Sequence, residues 1–185
     1  MHARPGFISI DCGIAANTSY SDQSTRGLRY VSDAGFVDAG DGLNALVRPP
    51  YDDPDMVERY RTVRYFPGGG AGARSCYTLR PVAPGGKYLV RTAYCYGNYD
   101  GLNELPVFDI HLGVNHWATI NVTAVDDKYI HEAVVVSQAD FLQVCACVLR
   151  AVACVCVPML LDHLRTNVDY KITFHNLQIP SSNLR

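Results

Sequence analysis

The chain has 185 residues, room for one domain of ordinary size with a tail, or for one unit of a longer protein. Its 16 basic and 18 acidic residues leave a net charge of -2, which excludes the basic footprint that nucleic-acid binding requires. Twelve tyrosines against one tryptophan, with 15 glycines and 10 prolines spread along the chain, favour short strands joined by turns over a helical bundle.

The opening MHARPGFISIDCG lacks the apolar core and cleavage pattern of a signal peptide, because Arg4, Pro5 and Gly6 interrupt it. Phe7 to Ile10 alternates apolar and polar and stops at Asp11, Cys12 and Gly13, which predicts a first strand closed by a turn. Asn17 to Arg26 is polar and reads as a loop, while RYVSD (29–33) and GFVDAGDG (35–42) read as short β-prone pieces. PPYDDPD, Pro49 to Asp55, reads as a surface loop, since each of its prolines removes a backbone donor and fixes its own φ. YRTVRYF and CYTLRPV then form two strands across the glycine-rich PGGGAGARS.

The middle of the chain is the most legible. KYLVRTAYCY (87–96) is dense in β-branched and aromatic residues, GNYDGLNELP (97–106) is a loop, and VFDIHLG (107–113) alternates again. HWATINVT and YIHEAVVVS supply two more strands around a turn at Asp126 and Asp127. FLQVCACV makes a good last strand, with Leu142, Val144, Ala146 and Val148 on one face and Cys145 and Cys147 on the other. Roughly eight or nine short strands at this spacing predict an all-β fold, an antiparallel β-sandwich.

Five blocks in order carry a family resemblance: GFISIDCG, YVSDAGFVDAG, YRTVRYFPGG with RSCYTL, KYLVRTAYCYGNYDGLNELPVFDIHLG, and VSQADFLQVC. From Gly6 to Cys145 they resemble the malectin-like extracellular module of plant receptor-like kinases. The resemblance implies a jelly-roll sandwich related to galactose-binding and malectin modules. Full receptors of this kind usually continue into leucine-rich repeats, a membrane helix and a separate Ser/Thr kinase domain. No glycine-rich phosphate loop, V-A-I-K, H-R-D or D-F-G occurs here, so kinase activity does not carry over. No G-x-S-x-G or H-E-x-x-H is present either, and the pairs Asp52-Asp53 and Asp126-Asp127 sit in turn-like stretches; neither an enzyme nor a cofactor is expected. The domain reading is an N-terminal remnant at 1–6, the module at 7–145, and a divergent segment with a tail at 146–185 that leaves the sandwich incomplete.

By the same resemblance, the loop after KYLVRTAYCY contributes to a glycan site, with Tyr96 and Tyr99 to stack on a sugar and Asn98, Asp100 and Asn103 to bind its hydroxyls. The bland reading is a turn whose tyrosines cover the core. Asn17-Thr18-Ser19 and Asn121-Val122-Thr123 are N-glycosylation sequons, Asn17 being the better acceptor. Cys12, Cys76 and Cys145 are disulfide candidates of undetermined connectivity, and Cys95 reads as a buried thiol packing as a small hydrophobe. Asp38, Asp41, Asp52, Asp53 and Asp55 match no calcium-loop pattern.

FLQVCACVLRAVACVCVPMLL (141–161) holds four of the seven cysteines and admits several readings. A zinc or copper site at Cys145, Cys147, Cys154 and Cys156 lacks a turn former between its two C-x-C pairs, so no metal is expected. A membrane helix is long enough, at a cost of about 2.5–3.5 kcal/mol for Arg150 near its centre. The remaining readings are a buried strand and a sequence foreign to the family after Cys145. The function expected is a non-catalytic module that binds glycan, peptide or another receptor ectodomain, with a structural or non-functional fragment as the alternative. Resemblance places it outside the cell at the plasma membrane, against the missing leader.

Overall fold

The computed structural model describes residues 7–38, 42–52, 56–67, 72–150 and 157–163. Asp41, Asp53, Asp55, Cys154 and Cys156, weighed above as metal ligands, lie outside these residues, as do most of the 146–185 segment and the 1–6 remnant. The described residues contain strands and three short 3-10 turns but no α-helix.

One sheet has six strands: β10 (Lys128–Val136), β7 (Lys87–Cys95), β12 (Val157–His163), β1 (Phe7–Asp11), β3 (Leu28–Ser32) and β2 (Ser19–Asp22), in that spatial order. The other has four: β6 (Arg74–Leu79), β11 (Leu142–Arg150), β8 (Val107–Leu112) and β9 (Asn115–Asn121). A two-stranded ribbon, β4 (Leu43–Leu46) with β5 (Thr62–Tyr65), completes the set. Pairing is antiparallel except between β1 and β3, which run parallel through Ile10–Val31 and Asp11–Ser32 because the β2–β3 hairpin turns back beside β1.

The alternation read from the sequence is what builds the core. Along β7, Tyr88, Val90, Thr92 and Tyr94 are buried, while Lys87 and Arg91 face out. Phe108 and Ile110 of β8, Ile120 of β9 and Val144 of β11 bury their side chains in the same cluster. The Tyr94 and Phe108 rings meet edge-on at 5.2 Å, a favourable aromatic geometry that joins the two sheets.

Three segments differ from the sequence expectation. Asn17 to Arg26, read as a loop, contains β2, because Tyr20 stacks on Tyr30 at 5.6 Å and an edge strand can keep its other residues polar. The described residues of the 35–42 stretch form no strand. Ser32 caps a 3-10 turn at Asp33–Gly35, Val37 makes one bridge to Tyr77, and the strand forms later as β4.

The third is the C-terminal segment. β11 runs through Cys145 to Arg150, since Ala146 and Val148 continue the inward alternation of Val144. The sandwich, expected to lack a closing strand, has β12 between β1 and β7, paired with both. Pro158 falls where the β12–β7 register shifts, a position that needs no ladder donor. The described parts of 141–161 form strands rather than a membrane helix, and among the described residues no helix is long and apolar enough to cross a membrane.

A disulfide joins Cys76 of β6 to Cys145, its direct partner across the ladder on β11. Cys12 and Cys95 are buried in the core instead, and burial pushes the Cys95 thiol up. The cross-link closes a loop of 69 residues and, on a chain-entropy account, contributes about 4 kcal/mol by restricting the unfolded chain. Replacing both cysteines (Cys76→Ala with Cys145→Ala) should lower stability by about that amount. Urea denaturation of the two proteins measures it, and superimposable curves would show that the bridge adds nothing.

Candidate ligand-recognition site

The YGNYDG loop is a rigid turn. Gly97, Asn98, Gly101 and Asn103 all have positive φ, which suits glycine and asparagine. A side chain on Gly97 would meet Val47 at 2.6 Å, so this position also needs glycine for close packing. The Tyr96 hydroxyl donates to Asp100 Oδ1 at 2.6 Å, and the same oxygen accepts from the Leu102 amide at 3.0 Å. Asn98 Oδ1 accepts from the Asn103 amide at 3.0 Å.

These contacts decide what the five expected sugar residues do. Tyr96 and Tyr99 are 1% and 3% exposed, with rings meeting edge-on at 5.5 Å, so neither offers a face to a pyranose. Burial, together with its bond to Asp100, pushes the Tyr96 phenol well up and keeps it a donor. Asn98 and Asp100 spend acceptor oxygens inside the loop. The structure brings the five together in one loop, with both tyrosines buried, Asn98 and Asp100 half-buried and Asn103 exposed.

What the loop supports lies beside it. An open groove of about 600 Å³ is lined by Asn44, Leu46 and Arg48, by Pro49 and Asp52, and by Gly13, Thr62 and Tyr99. Arg48 ties groove to loop: its amide donates to the Gly97 carbonyl at 3.0 Å and its Nε to the Tyr99 carbonyl at 2.8 Å. Leu46 is 67% exposed, the most open large apolar side chain of β4, with Asn44 and Arg48 two residues away on either side. The Thr62 hydroxyl donates to the Cys12 carbonyl at 3.2 Å. The arrangement suits holding a ligand, with apolar contact and hydrogen-bonding groups side by side. Sequence reading weighed Asp52 only as a turn carboxylate and calcium candidate, and passed over Asn44 and Leu46, which stand next to a glycine-rich stretch.

Beneath the groove, Asp33 is fully buried and accepts from both Arg64 Nε and Arg64 Nη2, the latter at 2.7 Å, as well as from the Gly13 amide at 3.3 Å and the Tyr77 hydroxyl at 3.2 Å. Gly13 has a φ of 93° and sits so close to β5 that a Cβ would lie 2.5 Å from the Val63 carbonyl oxygen. Asp11, also fully buried, accepts from the Tyr20 hydroxyl at 2.7 Å, while its Oδ1 has no partner among the described residues. Burial, despite the Tyr20 bond and aided by the nearby Asp33 charge, pushes its carboxyl up to about 7.

Comparison with known proteins gives a consistent result. A family model described as "Malectin-like domain" matches residues 10–154. The probable LRR receptor-like serine/threonine-protein kinase MEE39 of Arabidopsis thaliana is 39% identical over 140 residues, which cover 76% of this chain and 15% of that protein. A second leucine-rich repeat receptor-like serine/threonine-protein kinase of the same plant is also 39% identical, over 142 residues covering 76% of this chain and 16% of that one. The chain thus spans about one sixth of the length of the curated relatives it matches. Among solved structures, the extracellular domain of ANXUR2 from Arabidopsis thaliana superposes with a TM-score of 0.69 at 19% identity, over 85% of this chain and 41% of that one. A β-glucuronidase of Bacteroides uniformis superposes at 0.63 and 10% identity, over 86% of this chain and 18% of that one, so the sandwich itself is shared more widely than the sequence.

Asp11 makes stability depend on pH. Its carboxyl binds a proton more tightly folded than unfolded, so its contribution is fully present below about pH 4 and is lost as pH rises through about 7. Asp11→Asn keeps an acceptor for Tyr20 without the charge, and should gain on the parent by roughly 3–5 kcal/mol across that window. Thermal melts of both proteins at pH 4.5, 6 and 7.5 test this, and a constant difference between them would refute it.

Proposed function

Because this chain belongs to the malectin-like family, we propose that it is a non-catalytic recognition module whose groove beside β4 takes a saccharide ligand. The observation that carries the reading is the groove itself. Its volume of about 600 Å³ falls within the roughly 300–1,000 Å³ usual for small-molecule sites. Leu46 and Pro49 supply the apolar contact that the C–H face of a sugar ring prefers, and Asn44, Arg48 and Asp52 supply partners for its hydroxyls. YGNYDG acts through Arg48, by fixing the groove wall, rather than by touching the ligand.

The same reading places the module on the extracellular side of a plasma-membrane receptor. A cross-strand disulfide is stable in an oxidising compartment, and the curated relatives are named as receptor-like kinases. Asn17 and Asn121 are both exposed, Asn17 in a loop at a φ of 64° and Asn121 at the end of β9, so both sequons are open to modification.

Two outcomes follow. Screened against a glycan array and then titrated, the full chain should show at least one saturable saccharide, and Leu46→Ser or Asp52→Ala should each weaken it about tenfold with an unchanged melting temperature. No saturable binder, or variants that bind as the parent does, would sink the reading. Secreted from a eukaryotic host, the protein should lose mass on treatment with an N-glycosidase, and Asn17→Gln and Asn121→Gln should each remove one glycan. A bare polypeptide mass before treatment would refute the assignment.

A further inference from the structure

A second cavity, of about 310 Å³, lies where the turn after β2 and the 3-10 turn at Glu58–Tyr60 approach β7 and β10. Among the described residues, three arginines line it, Arg26, Arg59 and Arg91, and no acidic residue does. That concentration stands out on a chain whose net charge is -2. Tyr30 and Tyr60, each 4% exposed, form a closed aromatic floor.

Each arginine is held differently. Arg59 Nη1 donates to Asp22 Oδ2 at 2.5 Å and to Ser24 Oγ at 2.9 Å, and its guanidinium lies 5.1 Å from the centre of the Tyr60 ring. Asp22 is only 6% exposed and does not line the cavity, so it fixes Arg59 from beneath. Arg91, 48% exposed, pairs with Glu132 on the neighbouring strand, which does not line the cavity either. Arg26 takes the left-handed backbone conformation at a φ of 60°, and its side chain makes no hydrogen bond or ion pair among the described residues. Lys128 Nζ adds a further cation 5.6 Å from the centre of the Tyr60 ring.

Like charges around one cavity repel, and an anion placed between them relieves that cost. A guanidinium carries five N–H donors in a planar fork that matches an oxyanion, and the bonds of Arg59 to Asp22 and Ser24 both come from its Nη1. A neutral sugar would gain little from such a lining. We propose that this cavity is a second binding site, specific for a small ligand that carries an oxyanion group: carboxylate, sulfate or phosphate. It is independent of the groove beside β4 and does not rest on the saccharide reading of that groove.

The test is a titration of the isotopically labelled full chain with D-glucuronate, sodium sulfate or sodium phosphate, followed by backbone amide shifts, with D-glucose as the neutral control and sodium chloride matching ionic strength. At least one oxyanion should produce saturable shifts at Arg26, Arg91 and Ile130, and glucose should produce none. The oxyanion that saturates at the lowest concentration identifies the group recognised. Arg26→Gln or Arg91→Gln should weaken that binding about tenfold, whereas Arg80→Gln, which removes an exposed arginine paired with Asp140, should not change it. Shifts that stay linear and equal to those caused by chloride would overturn the proposal. So would arginine variants that bind as tightly as the parent.

Discussion

The buried ion pair between Asp33 and Arg64 is the constraint on which the recognition end of the molecule depends. Asp33 has no exposure to solvent, so its charge is tolerable only because Arg64 meets it with two donors while the Gly13 amide and the Tyr77 hydroxyl add two more. Those four groups come from four places: the turn after β3, strand β5, the turn after β1, and strand β6. Arg64 also donates to the Gly42 carbonyl at 3.2 Å, just ahead of β4. Removing one partner from such a pair typically costs about 3–5 kcal/mol, because the other is left charged and buried. The pair is better understood as a fastening for the β4–β5 ribbon than as a source of net stability.

That fastening explains how a two-stranded ribbon, marginal by itself, can form a groove wall. The ribbon leans on Gly13, where only hydrogen fits against the Val63 carbonyl, and on Gly97, where only hydrogen fits against Val47. Arg48 then locks it to the YGNYDG loop. Arg48 thus stands in both this network and the groove lining, beside the polar side chains of Asn44 and Asp52. The second cavity follows the same logic with opposite emphasis. Asp22 and Glu132 hold Arg59 and Arg91 without standing in the cavity, so charge is concentrated on its lining and compensated behind it.

Much of the fold was legible because strand alternation is a local signal. KYLVRTAYCY, VFDIHLG and YIHEAVVVS all become strands near the expected bounds, and the bland reading of the YGNYDG tyrosines, as residues covering the core, matches their burial. β2 was not legible, because SYSD is polar and becomes a strand only through its pairing with β3 and the stacking of Tyr20 on Tyr30. β12 was not legible for a related reason: an apolar run of cysteine, valine and leucine fits a helix or a strand equally well, and the backbone groups of β1 and β7 on either side decide between them.

By itself the sequence determined the β class, the sandwich and the family, because these rest on residue spacing along one strand and on blocks in a fixed order. It also determined that positions 97 to 103 would be a turn, since glycine and asparagine accept left-handed backbone angles that other residues resist. Only the tertiary structure decided which tyrosines are hidden, which of the described cysteines are joined, and where the surface opens into a groove. Those outcomes depend on distances between residues dozens of positions apart, such as Arg48 and Tyr99 or Asp33 and Arg64, and no local pattern encodes such a distance.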